Sequence, residues 1–143
     1  MLSFKEAFSE NEKTTCLEIR RVVFILGQGV PLERERRDED KACRHFLTYD
    51  GDKPVATMRV ISEEANAKIQ RMAVLEECQG KGIGAKMLTF VTGELAKDEN
   101  LERAILGSQE HAVAFYRRAG FNVISDAFED AGITHYLMEK MLR

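Results

Sequence analysis

The reading turns on the stretch Val74-Leu75-Glu76-Glu77-Cys78-Gln79-Gly80-Lys81-Gly82-Ile83-Gly84-Ala85. A strand-like run precedes it and a helix-like run follows it. Three glycines and a lysine stand where the helix begins. Glycine has no Cβ to hold a ligand away from the backbone. A helix N-terminus adds unpaired N–H groups and a partial positive charge. Together these features predict an anion pocket suited to phosphate, and with it a phosphorylated cofactor.

Downstream, Ile83, Met87, Val91 and Leu95 step by four, the spacing of an amphipathic helix laid on a sheet. Residues 103–108 (RAILGS) read as a short apolar strand. Strand, helix, strand at this spacing predicts a βαβ crossover with 67–74 and 103–108 parallel. A second helix carries Ala112, Phe115, Tyr116 and Ala119 on one face, with Arg117 and Arg118 in its last turn and Gly120 as its C′ residue. Residues 122–125 and 134–141 then read as closing strands around a loop at 126–132.

Upstream, residues 2–8 read as a first strand. Asn11 is the expected cap of a helix whose apolar positions are Cys16, Ile19, Val23 and Leu26, stopped by Gly27 and Gly29 with Pro31 beyond. The run at 32–41, almost wholly charged, reads as a solvated loop or short exposed helix. Two strand-like runs, 44–49 and 53–61, flank Asp50-Gly51-Asp52, a good hairpin signal. Residues 67–74 follow the polar turn 62–66 and complete an antiparallel meander. The order of elements predicts an α+β fold with a mixed sheet and helices on both of its faces.

The chain has 143 residues, enough to bury one core, and is expected to form one domain over 1–143. Hydrophobic residues at 44% and charged residues at 31% fit an ordinary globular composition. A formal net charge of −3 argues against a nucleic-acid partner, whose footprint is a basic face. Cys16, Cys43 and Cys78 are odd in number and widely spaced, with no CxxC pair and no metal-ligand spacing. The N-terminus lacks the apolar core of a signal peptide, and no run approaches transmembrane length. A reducing cytoplasm, with no membrane partner and no metal, is the expectation.

Glycine-rich loops serve several cofactors, and three patterns compete for this one. A P-loop with Gly80-Lys81 as its GK needs glycine at 75 and Ser or Thr at 82, where the chain has Leu75 and Gly82. Gly80, Gly82 and Ala85 formally satisfy the dinucleotide-binding pattern G-x-G-x-x-A. That motif wants its first glycine at the strand end, whereas residues 75–79 intervene here, and the next strand ends in Gly107-Ser108 without an acidic residue for a ribose. The third pattern, Gln-x-x-Gly-x-Gly, fits Gln79 to Gly84, five residues after a Met-Ala-Val strand end.

At this point the chain resembles the GNAT superfamily of acetyl-CoA-dependent N-acetyltransferases. The resemblance rests on that loop and on Phe115-Tyr116-Arg117-Arg118-Ala119-Gly120-Phe121, the Phe-Tyr-x-x-x-Gly-Phe run of the family's later helix. Arg20-Arg21-Val22-Val23-Phe24 followed by Gln28-Gly29-Val30-Pro31 is similar to the ElaA-like bacterial branch. The similarity spans nearly the whole chain.

The resemblance implies acetyl transfer from acetyl-CoA to a primary amine by direct attack within a ternary complex. Such a reaction needs a donor for an oxyanion, a route for the amine's proton and an acid for the departing sulfur. It implies that the CoA pyrophosphate lies over Gly80, Lys81, Gly82, Ile83, Gly84 and Ala85, with Gln79 in the same loop. The pantetheine arm would lie along Met72, Ala73 and Val74, with an oxyanion donor near Met72, where the parallel strands splay. Tyr116 matches the family's acid for the thiolate. Gln109 stands where the family usually has a pantetheine-binding asparagine. A glutamate that some relatives use as base falls on Ala104, which leaves Glu76, Glu77, His111, His135 or a water chain for that task. Cys78 has no His–carboxylate partner in the pattern and reads as a bystander. The acceptor, a small-molecule or peptide amine, would be set by 27–41 and 126–132. A homodimer accords with the family's habits. The competing readings are a non-catalytic acyl-CoA sensor of the same fold and, more distantly, a nucleotide-binding oxidoreductase.

Overall fold

The structure, a computed structural model, describes residues 1–27 and 43–143. Its elements run β1 (Leu2–Ala7), α1 (Glu10–Arg20), β2 (Arg44–Asp50), β3 (Lys53–Glu63), β4 (Asn66–Val74), α2 (Ile83–Leu95), β5 (Arg103–Gln109), α3 (Val113–Arg118), β6 (Asn122–Val123), β7 (Phe128–Asp130) and β8 (Ile133–Met141). The Gln28-x-x-Pro31 pattern, the stop at Gly29 and Pro31, and the charged run at 32–41 lie outside the described residues.

Eight strands form one sheet in the order β1-β2-β3-β4-β5-β8-β6, with β7 paired to β8. Among the described residues only β4 and β5 run parallel; the other pairs are antiparallel. This is the α+β mixed sheet that the element order predicts. Strand alternation sends neighbouring residues to opposite faces. Accordingly, Phe46 enters a core with Met87, Leu88, Val91 and Leu95 of α2, while Leu47 joins Cys16 and Ile19 of α1 on the other face. One helix covers each side, and α3 packs against the α2 core through Phe115 and Tyr116.

The cap of α1 corrects the sequence reading: it is Ser9, not Asn11. The Glu12 amide donates to Ser9 Oγ (3.1 Å), and Glu12 Oε1 accepts from the amides of Phe8 (3.0 Å) and Ser9 (3.1 Å). This is a capping box, written in the chain as Ser-x-x-Glu. The other Glu12 oxygen pairs with Lys5 of β1. That ion pair, then the two backbone donors, holds the Glu12 carboxyl down at about 2. Beyond Arg20 the helix widens into a π-helical turn, Arg21–Leu26.

A second correction concerns 126–132, expected as a loop. It contains β7, joined to β8 by Ala131 (φ 52°) and Gly132 (φ 78°). Two successive positive φ angles make the tight turn that follows a hairpin's twist.

Candidate active site

The site begins with one extra residue in β4. Thr57 faces Ala73 and Arg59 faces Gln70, so Arg71 and Met72 together stand opposite Met58. Arg71 takes φ 52°, a left-handed conformation that an arginine adopts only under local constraint. On its other edge, β4 pairs with β5 only from Asn66 to Lys68 (with Arg103 to Ile105). Past that point the parallel strands part, and a cleft opens between Met72–Val74 and the end of β5.

Immediately after β4 the chain is pinned. The Leu75 amide donates to the carbonyl of Val55 (2.9 Å), a bulged residue of β3. A single helical turn at Glu76–Cys78 follows, and Gln79 Nε2 donates back to the Val74 carbonyl (3.0 Å). Gly80 (φ 79°) and Gly82 (φ 78°) then turn the backbone under the N-terminus of α2. Open space faces both where a Cβ would stand. Gly82 caps α2 without a side-chain hydrogen bond, so the first-turn amides point outward with no capping group in front of them.

A cleft of about 740 Å³ runs from this loop along β4. Met72, Ala73, Val74, Gln79, Gly80, Gly82, Ile83, Gly84 and Ala85 line it on one side, and Phe115, Tyr116 and Arg118 on the other. Nine of the residues named from sequence for the cofactor therefore stand together. Lys81 is exposed at the loop tip and Gln109 faces elsewhere; neither is in this lining. Val23, from the π-helical turn, joins the wall; the sequence marked it as an apolar helix position but not as a cofactor residue. Cys78 also reaches the cleft but is buried, at 7% exposure, in the core under α2.

A second cavity, about 310 Å³, lies on the far side of the splay. Gln109, His111 and His135 line it with Phe24, Arg71 and Leu106. Met72, His111, Ala112 and Tyr116 border both spaces. Tyr116 is thus set where the two meet. Its ring packs edge-on against Phe115 and Phe121, and burial pushes its phenol above the ordinary value. A Schellman motif fixes the end of its helix: Gly120 (φ 98°) donates to the Arg117 carbonyl and Phe121 to that of Tyr116.

Of the base candidates, Glu76 and Glu77 line a separate depression with Val22 and Gly27, and Glu77 pairs with Lys53 (3.2 Å). His111 Nε2 donates to Gln109 Oε1 (2.7 Å). His135 Nδ1 donates to the Ile133 carbonyl (2.8 Å), and its ring stacks on Phe128 at 5.8 Å. Ala104 is fully buried in the core. Among the described residues no group of three His, Cys, Asp or Glu is placed to hold a metal, and no helix is long and apolar enough to cross a membrane.

The model of the acetyltransferase (GNAT) domain matches residues 23–142. A Bacillus subtilis protein, "Uncharacterized N-acetyltransferase YjcF", is 33% identical over 135 residues, covering 94% of this chain and 96% of that one. Protein ElaA of Escherichia coli is 26% identical over 136 residues, covering 92% of this chain and 89% of its own. The crystal structure of ElaA superposes with a TM-score of 0.86 at 23% identity, over 98% of this chain and 99% of that one. An aminoglycoside 6'-N-acetyltransferase crystallised with coenzyme A shares the fold, with a TM-score of 0.77 at 13% identity, over 100% of this chain and 97% of that one. On the strength of the matched domain and these relatives, the chain belongs to the GNAT acetyltransferase family, in its ElaA-like branch.

Proposed function

We propose that the chain moves an acetyl group from acetyl-CoA to a primary amine, both held in one complex. The observation that carries this reading is the meeting of two clefts at Met72 and Tyr116, where β4 and β5 part. One space is long and ends on a glycine-lined helix N-terminus; the other is short and lined by polar side chains.

The residues present fit CoA. Gly80 and Gly82 leave open the space a Cβ would fill, and the uncapped start of α2 offers N–H groups and positive dipole to a pyrophosphate. Met72, Ala73 and Val74 offer backbone groups that β5 has left behind. When bound, the thioester supplies an activated acyl group. A backbone N–H at the Met72 bulge would donate to its carbonyl oxygen, which gains negative charge as the amine attacks. The Tyr116 hydroxyl supplies the proton that the departing sulfur takes up. Its raised pKa keeps the phenol protonated through neutral pH, as an acid requires. Gln109 and His111, joined by a hydrogen bond, border the acceptor's side.

The aminoglycoside 6'-N-acetyltransferase and the ribosomal-protein-S18-alanine N-acetyltransferase of Escherichia coli share this fold, and their names cover both a small-molecule and a protein amine. The test is thiol release from acetyl-CoA across a panel of spermidine, glucosamine and an alanine-terminated peptide, beside calorimetry with CoA and NAD. Amine-dependent thiol release with CoA binding and no NAD binding is expected. CoA binding with no release for any amine would instead identify a sensor.

A further inference from the structure

On the reading of acetyl transfer above, we propose that His135 is the general base, taking the proton of the acceptor amine on Nε2. Three observations converge on it. His135 lines the acceptor cavity and is absent from the lining of the CoA cleft. Its Nδ1 lies 2.8 Å from the Ile133 carbonyl, an oxygen with no proton to give, so Nδ1 carries the hydrogen and Nε2 keeps a lone pair. Phe128 of β7 stacks on the ring at 5.8 Å and 26°, fixing its plane.

Only one other described side chain in the cavity competes, and it is less firmly held. Among the described residues no carboxylate lines the acceptor cavity. Its other charged or titratable groups are Arg71 of β4, His111 of the turn after β5 and Tyr116 of α3. Arg71 stays protonated and Tyr116 is the acid. His111 lies on both clefts and is exposed; with Nε2 donating to Gln109 its Nδ1 keeps a lone pair, but among the described residues no ring stacks on it to fix its plane as Phe128 does for His135. Gln109 faces His135 in the β5–β8 register, so the polar wall is a cross-strand unit, with His135 its member held by β8 and β7.

The step balances. The amine lone pair forms the C–N bond as the C–S bond breaks; the nitrogen's proton goes to His135 Nε2, and the sulfur takes one from Tyr116. Imidazolium then returns a proton to phenolate through solvent.

The experiment uses whichever panel amine the parent accepts. His135→Gln should lower kcat/KM by about 10²-fold or more. Acetyl-CoA affinity should be unchanged by calorimetry. Added imidazole should restore turnover to His135→Ala. Activity within about threefold of the parent overturns the assignment of base while leaving acetyl transfer standing. A parent that binds acetyl-CoA but acetylates no amine overturns both. Nitrogen-15 NMR of the parent supplies a check independent of any variant's folding. A neutral His135 ring protonated on Nδ1 supports the proposal, and one protonated on Nε2 overturns it.

Discussion

Tyr116 shows how much chemistry one side chain draws from its surroundings. The phenol packs between Phe115 and Phe121, and that burial disfavours the phenolate. Because the neutral form is the acid, a raised pKa extends activity upward, and turnover should fall only as pH rises above the ordinary phenol range. Replacing Tyr116 with Phe keeps the packing and removes the proton. We expect kcat to drop by about tenfold or more and the alkaline fall to disappear. Turnover equal to the parent's at every pH would remove Tyr116 from the mechanism. The residue was legible because the Phe-Tyr-x-x-x-Gly-Phe run fixes both its helical face and its stop. Gln109 and His135 were legible as chemistry but not as geometry. Their relation is set by which residue of β8 faces which residue of β5, a pairing between segments some 26 positions apart, and local spacing does not encode it.

At the scale of the element, α2 and its loop hold the clearest correspondence between chain and structure. The spacing of Ile83, Met87, Val91 and Leu95 becomes one buried face, and the glycines become a start without a side-chain cap. Gly82 and Gly84 serve in different ways. At φ 78°, a side chain on Gly82 is strained by about 1–2 kcal/mol. A Cβ on Gly84 would sit 3.4 Å from Phe115 Cζ, so a branched side chain there presses on the aromatic wall of the cleft. Gly82→Val and Gly84→Val should both abolish CoA binding by calorimetry, with Gly82→Val melting a few degrees lower. Parental CoA affinity in both would mean that the loop holds no phosphate. Two elements resisted reading for physical reasons. The strand β7, Phe-Glu-Asp, has little strand propensity, and its turn uses Ala131 where Asn or Asp would have announced it. At the start of α1 the chain offers two good caps, and the capping box singles out Ser9 through Glu12.

For the whole molecule, the topology was recoverable because the hairpin turns and the βαβ spacing each restrict the choices. The first strand and first helix are tied to one another by a single carboxylate. Glu12 closes the cap of α1 and pairs with Lys5 of β1, with its carboxyl held at about 2 against an ordinary 4.5. A depressed carboxyl adds stability above its unfolded value, and that contribution drains away as pH falls from about 4.5 towards 2. Glu12→Gln should therefore melt below the parent at pH 7, and the two melting curves should converge across that window. A gap that stays constant down to pH 2 would deny Glu12 this role.

The bulge at Arg71 and Met72 was not legible at all, since nothing in Gln70-Arg71-Met72-Ala73 marks an interruption. Its consequence is one of parity. A strand deals its side chains alternately to two faces, and one surplus residue reverses the deal for everything beyond it. Ala67 and Ile69 before the bulge and Met72 and Val74 after it all pack on the α2 side, while Ala73 packs on the α1 side, because one residue between them is surplus. Deleting a single residue there would turn Met72 and Val74 to the α1 face and Ala73 to the α2 face.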